Sequence, residues 1–150
     1  MSAIMPTERG SFAYFTITSS RTLRDIEAYM GVAGDGRCWS IGDPRPNKIT
    51  IYDYSRWSML SGVEHGRPIE EHLRSLWRRM SDIRELISQL PKDMNRSVAC
   101  VGHFNSHFDQ FEISSGHFAT AAYYHAKLDC DFYFSDAFGD EEEGIPYWAW

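Results

Sequence analysis

The apolar positions of this chain change period several times, and each change marks an element. From Ser11 to Thr18, Phe12, Tyr14 and Thr16 alternate with Ala13, Phe15 and Ile17, which predicts a strand buried on at least one face. Thr22 then stands where a helix N-cap belongs, with Asp25 in the first turn. Leu23, Ile26 and Met30 form one apolar stripe, and Gly31 is placed to end the helix in a left-handed conformation. The glycine- and proline-rich stretch from Gly31 to Asn47 reads as a loop. Lys48 to Tyr54 and Arg56 to Leu60 read as two strands broken near Asp53 to Arg56. After the turn at Gly62 to Gly66, Pro68 suits the first helical position. Ile69, Leu73, Leu76, Trp77, Met80, Ile83, Ile87 and Leu90 then keep a 3.6-residue period for about six turns, until Pro91.

Ser97 to Phe104 and Phe108 to Ser114 predict a hairpin around Asn105-Ser106. Ser114 or Ser115 caps a third helix, with Phe118, Ala121, Ala122, His125 and Leu128 on its buried face. Cys130 to Phe134 is the last strand. The order is βαββαββαβ, whose first six elements match the split βαβ arrangement of a ferredoxin-like core. The expected class is α+β, with a mainly antiparallel sheet and helices on one face. Residues 1–135 form one domain and residues 136–150 a C-terminal tail.

Several stretches together resemble a bacterial family, domain of unknown function 4279. They are Trp39-Ser40-Ile41-Gly42-Asp43 after the first helix, Trp57-Ser58-Met59-Leu60-Ser61-Gly62 closing a strand, the long helix after Pro68, and Leu128-Asp129-Cys130-Asp131-Phe132-Tyr133-Phe134. The resemblance covers roughly residues 11 to 135. It implies the element order and a bacterial origin, and brings no activity, cofactor or site residue with it.

Charge changes the picture more than composition does. The chain has 150 residues, 43% hydrophobic and 15% aromatic, with a net charge of −6. That is enough apolar material for one buried core, and too negative a surface for nonspecific binding to nucleic acid or an acidic membrane. Ser97 to Trp150 holds nine Asp/Glu and one basic residue, Lys127, whereas residues 1–96 hold twelve acidic and fourteen basic side chains. In the tail, Asp136, Asp140, Glu141, Glu142 and Glu143 precede Tyr147, Trp148 and Trp150. Carboxylates steer a cationic partner and Trp or Tyr anchors an interface, so these eight residues are the candidate partner-binding site. The plainer alternative is a solvated acidic run whose aromatics fold back on the sheet.

Other constellations carry less. Cys100-x-x-His103-x-x-x-His107, with Asp109 nearby, has zinc-ligand types, but Cys100 and His103 point to opposite faces of a regular strand. A second ligand pair is missing, so neither a metal nor any other cofactor is expected. The glycines from Gly31 to Gly36 follow a helix instead of opening one, as a phosphate cradle would. Asp129 and Asp131 share a strand face, where they could act as an acid/base pair or keep an edge strand soluble. Arg67, Arg74, Arg78, Arg79 and Arg84 are interleaved with carboxylates on the long helix and read as a solvated, salt-bridged face. Cys38, Cys100 and Cys130 lack disulfide-rich spacing, which fits reduced thiols in the cytoplasm. No nucleophile signature surrounds any serine or cysteine, so the chain is expected not to be an enzyme. The functional expectation is a small acidic cytoplasmic binding protein, most concretely an immunity protein that neutralises a basic toxin nuclease. The alternatives are a small-molecule binder or enzyme with a pocket near Trp39 and Trp57, and a self-associating structural module.

Overall fold

The computed structural model describes residues 11–104 and 112–134. Its elements run β1 (Phe12–Ser19), α1 (Leu23–Met30), β2 (Ser55–Leu60), α2 (Ile69–Asp82), α3 (Arg84–Ser88), β3 (Asn95–Phe104), α4 (Ser115–Tyr123) and β4 (Lys127–Phe134). The strands form one sheet in the order β2-β1-β3-β4. β1 pairs antiparallel with both β2 and β3, while β3 and β4 are parallel and joined through α4. The class is α+β, with antiparallel pairing in the majority.

Strand parity selects the core. Ala13, Phe15 and Ile17 of β1, Trp57 and Met59 of β2, and Val98 and Cys100 of β3 lie on one face. That face packs against Ile26 and Met30 of α1, Leu73, Leu76 and Met80 of α2, Ile87 of α3, and Tyr124. All four helices therefore cover the same side of the sheet. No helix among the described residues is long and apolar enough to cross a membrane.

The connections differ from the expected order in four places. Lys48–Tyr54 is not a strand; apart from a single bridge between Pro44 and Ile51 it is turn and irregular chain. Proline at 44 and 46 removes two ladder donors, and Lys48 takes a left-handed φ of 62°, so no strand propagates. Second, β1 and β2 are direct neighbours, whereas a split βαβ keeps such strands apart. Third, residues 112–114, the end of the expected hairpin's return arm, are irregular, and the rest of that arm lies outside the described residues. Fourth, the long helix breaks at Ile83 (φ −118°, ψ 25°) into α2 and α3. The apolar stripe continues across the break to Ile87 and Leu90, both buried, so the period alone did not reveal it. Pro68 is the N-cap residue, one position before the helix begins.

The outer edge of β2 is closed by the loop after α1. Gly31 ends that helix at φ 76°. The outward N–H groups of Arg56, Ser58 and Leu60 then donate to Trp39 O (2.9 Å), Cys38 Sγ (3.3 Å) and Asp35 Oδ1 (2.8 Å). The outward carbonyls of Arg56 and Ser58 accept from Trp39 N and Gly36 N, both at 3.0 Å, and that of Leu60 accepts from the Arg79 guanidinium. Every exposed backbone group on that edge from Arg56 to Leu60 is thus occupied. The approach is close enough to require glycine, because a Cβ on Gly34 would stand 2.2 Å from Ser58 O, and one on Gly36 2.6 Å from Ser58 Oγ.

Gly34→Ala is expected to destabilise the fold by about 3 kcal/mol, as overpacking does. Gly116→Ala, in a helix with open space around it, should stabilise by up to about 1 kcal/mol. Urea denaturation of both variants checks this; equal midpoints would refute the close-packed seal.

Candidate functional site

From the sealed edge a second feature is built. Residues Gly42 to Tyr52 form a compact hairpin held by Gly42 N to Tyr52 O (2.8 Å), Tyr52 N to Asp43 O (2.9 Å) and Arg45 N to Thr50 O (2.9 Å). Asn47 Oδ1 accepts from the backbone of Ile49 (2.9 Å) and Thr50 (3.2 Å), closing the tip through a local side-chain turn. The hairpin is fixed to the sheet by a ladder of rings and guanidinium groups. Arg45 lies over Tyr52 (4.6 Å), Tyr52 stacks on Trp39 (4.0 Å, 11°), and Arg56 sits 5.0 Å from Trp39 and 4.8 Å from Tyr14 of β1. Tyr54 meets both Trp39 and Tyr52 edge-on. Such contacts each add roughly 0.5–1.5 kcal/mol beyond buried area.

The tip carries what a monomer normally hides. Ile49 is 85% exposed and Ile51 61%. The pattern from Lys48 to Tyr54 predicts a strand that would include Ile49 and Ile51. They are instead presented to solvent on a braced support. The signal for this lay in Pro44, Pro46 and Asn47, which mark a turn within the apparent alternation.

Trp57 and Trp39 do not share a pocket. Trp39 pairs beyond β2, whereas Trp57 points into the core and donates from Nε1 to Val32 O (3.0 Å). Beside Trp57 is a cavity of about 250 Å³ lined by Val32, Ala33, Asp35, Met59, Arg79 and Asp82, among others. Arg79 pairs there with Asp35 at 3.0 Å, so it clamps α2 to the loop instead of joining a solvent stripe. Arg67 and Arg74 do follow the expected pattern, pairing with Glu71 (3.0 Å) and Glu70 (3.8 Å). Exposed pairs of this kind contribute little to stability.

Two polar assemblies, one buried and one partly exposed, have no signature in the sequence pattern. Ser61 Oγ and His72 Nδ1 share a hydrogen bond at 2.7 Å, and Ser61 Oγ also accepts from Val63 N at 3.2 Å. A nucleophile–base pair needs substrate access and a group orienting the second ring nitrogen. Here both residues are buried, and among the described residues His72 Nε2 has no hydrogen-bond partner. Burial, with the nearby His65 adding to it, pushes the His72 pKa down to about 4. The pair is a neutral core contact.

The second assembly decides how α4 docks. Trp77 Nε1 donates to His117 Nδ1 (2.9 Å), so His117 carries its proton on Nε2, which lies 2.9 Å from Glu70 Oε1. Glu70 also accepts from Ser114 N (2.9 Å) and Ser114 Oγ (3.2 Å) at the start of α4. The His117 hydrogen bond, then the Ser114 amide, hold the Glu70 carboxylate below its usual pKa. This clamp turns α4 so that His117, Ala121 and Tyr124 are buried and Phe118 is 53% exposed. Ala122 and His125 are likewise exposed, which corrects the expected apolar face of that helix.

The remaining candidates are dispersed. Cys100 is buried toward the helices, and His103 lies on the opposite face stacked on Tyr133 (5.2 Å); His107 and Asp109 lie outside the described residues. Among the described residues, no three His, Cys, Asp or Glu side chains gather as a metal site. Cys38, Cys100 and Cys130 are free thiols. Asp129 and Asp131 share the helix-free face of β4, in register with Ala99 and Val101. Asp136, Asp140, Glu141, Glu142, Glu143, Tyr147, Trp148 and Trp150 all lie outside the described residues.

The two assemblies give the stability curve two acid windows. His72 takes a proton at 6.5 when unfolded and at about 4 when folded. Its contribution is complete above pH 6.5 and falls by about 3 kcal/mol as pH drops toward 4. Glu70, depressed from 4.5, keeps its contribution above that value and loses it as pH falls through the lower folded one. Urea midpoints from pH 8 to 3 should show His72→Gln flattening the upper window and Glu70→Gln the lower. An unchanged upper slope in His72→Gln contradicts the assignment.

A family model described as Domain of unknown function (DUF4279) matches residues 8–135. No curated protein and no solved structure matches the chain. The matched span runs from before β1 through β4 and includes the sealed edge, the hairpin and the α4 clamp, and the chain belongs to the DUF4279 family.

Proposed function

We propose that this chain is a protein-binding module for a basic partner, anchored by the hairpin tip and steered by the acidic last third. The observation that carries the reading is the exposure of Ile49 and Ile51 on a support braced by Arg45, Tyr52, Trp39 and Arg56. Apolar side chains held in place beforehand lose little conformational freedom on binding, so more of their burial appears as affinity. Nine acidic residues against one basic after Ser97 supply long-range attraction to a cationic surface. A toxin nuclease, which must attract phosphate, is the most concrete such partner, and an immunity protein the most concrete role.

A second reading, favoured by the cavity of about 250 Å³ beside Trp57, is a small-molecule site between Asp35, Arg79 and Asp82.

Purification from the native host identifies the partner, and the purified pair then gives rates. Ile49→Asp with Ile51→Asp should weaken the complex at least about 30-fold, the level of an interface hot spot, with thermal stability unchanged because both side chains are exposed. Charge reversal at Glu141, Glu142 and Glu143 should slow association at low salt, while Trp148→Ala or Trp150→Ala should speed dissociation. Full affinity in the isoleucine variant rejects the anchor. Unchanged binding after deletion of residues 137–150 rejects the role of the tail.

A further inference from the structure

Where α3 and the C-terminal end of α4 meet β3 lies a cavity of about 240 Å³. Arg84, Arg96, Ser88, Tyr123, Tyr124 and His125 line it, along with Ile87. Among the described residues that line it are two guanidinium groups and no carboxylate. Among the described residues neither Arg84 nor Arg96 lies within 4.0 Å of an acidic oxygen, although five other arginines are paired that way. Arg96 rises from β3 and donates from Nη2 to the carbonyls of Ile87 (2.9 Å) and Leu90 (3.3 Å), which fixes its guanidinium at the cavity wall. Among the described residues its Nε is buried without a partner. Burial alone acts on the Arg96 pKa, and it lowers it. The positive charge of Arg84 is felt at Tyr124.

The residue at the rim adds an independent observation. His125 follows the end of α4 with φ 57°, at the position where a left-handed backbone favours glycine. Ala126 N closes the turn on Ala121 O at 2.9 Å. A side chain here works against local backbone preference, and it is one that lines the cavity.

We propose that this cavity binds the oxyanion headgroup, phosphate or carboxylate, of a small organic molecule. Arg84 and Arg96 supply the charge, the tyrosine hydroxyls and His125 supply further hydrogen bonds, and the exposed ring of Tyr123 flanks the body of the ligand, while the Ser88 hydroxyl is held by Glu85 O at 2.8 Å. Paired guanidinium groups suit such planar or tetrahedral anions because they donate in a fixed fork. The cavity is smaller than the ~300 Å³ at which pockets for drug-sized ligands begin, so the ligand has a short body.

The full chain would be titrated at constant ionic strength with inorganic phosphate, phenyl phosphate and benzoate, against chloride, and followed by amide NMR shifts. Saturable shifts confined to Ser88, Tyr124, His125 and their neighbours are expected with at least one probe. Binding of inorganic phosphate as tight as phenyl phosphate assigns the headgroup alone, and preference for benzoate assigns a carboxylate. Arg84→Gln should weaken binding at least about tenfold, the loss of one charge-assisted hydrogen bond. Arg74→Gln, on the exposed face of α2, should leave it unchanged. His125→Gly should also weaken binding while keeping or raising thermal stability, because glycine suits that backbone, so lost affinity cannot be laid to unfolding. The proposal is overturned if no probe gives saturable shifts at the cavity, or if Arg84→Gln and Arg74→Gln respond alike.

Discussion

Closure of the β2 edge is the constraint from which the rest of the molecule follows. An open strand edge offers unpaired donors and acceptors to any extended chain. Here the loop after α1 meets that demand with two backbone carbonyl or amide partners at Trp39, an amide at Gly36, a thiol at Cys38 and a carboxylate at Asp35. Gly34 and Gly36 make the approach sterically possible, and Arg79 draws α2 into the same seam. Once the loop is held there, Trp39 becomes the base on which Tyr52 and Arg56 stack. The hairpin therefore owes its fixed position to hydrogen bonds made several residues earlier in the chain.

Much of the framework was legible because local signals agreed with tertiary demand. The alternation from Phe12 to Ile17, the Thr22 cap with Gly31 closing α1, and Ser114 before α4 all occur as the sequence indicates. The misreadings have a shared cause, in that a hydrophobic period does not say what competes with it. Ile49 and Ile51 alternate like strand residues, yet the two prolines and left-handed Lys48 prevent a ladder. On α4, Phe118 should face inward on hydrophobicity alone, yet three hydrogen bonds to Glu70 bring His117 inward instead. The partners lie 44 and 47 residues apart in sequence, a separation that no local pattern encodes.

The candidate sites were less legible than the fold for a related reason. A binding surface on this chain is defined by what is left exposed or uncompensated, and exposure is a property of the finished packing. Arg96 is one arginine among fourteen basic residues before Ser97 until its carboxylate-free surroundings are seen. Ser61 and His72, by contrast, look like chemistry when listed together and prove to be an enclosed contact. The buried polar groups mostly orient elements against one another, while surface features carry the prospects for recognition.

Sealing one flank makes the two ends of the sheet unlike. Among the described residues, β4 ends the strand order on the other side, with Asp129 and Asp131 on its helix-free face. Two copies joined there about a twofold axis would meet β4 to β4 in antiparallel fashion and bring their Asp129 and Asp131 rows close together, a pairing that like charges oppose. The same row of carboxylates would attract, where it repels its own copy, a strand carrying lysines.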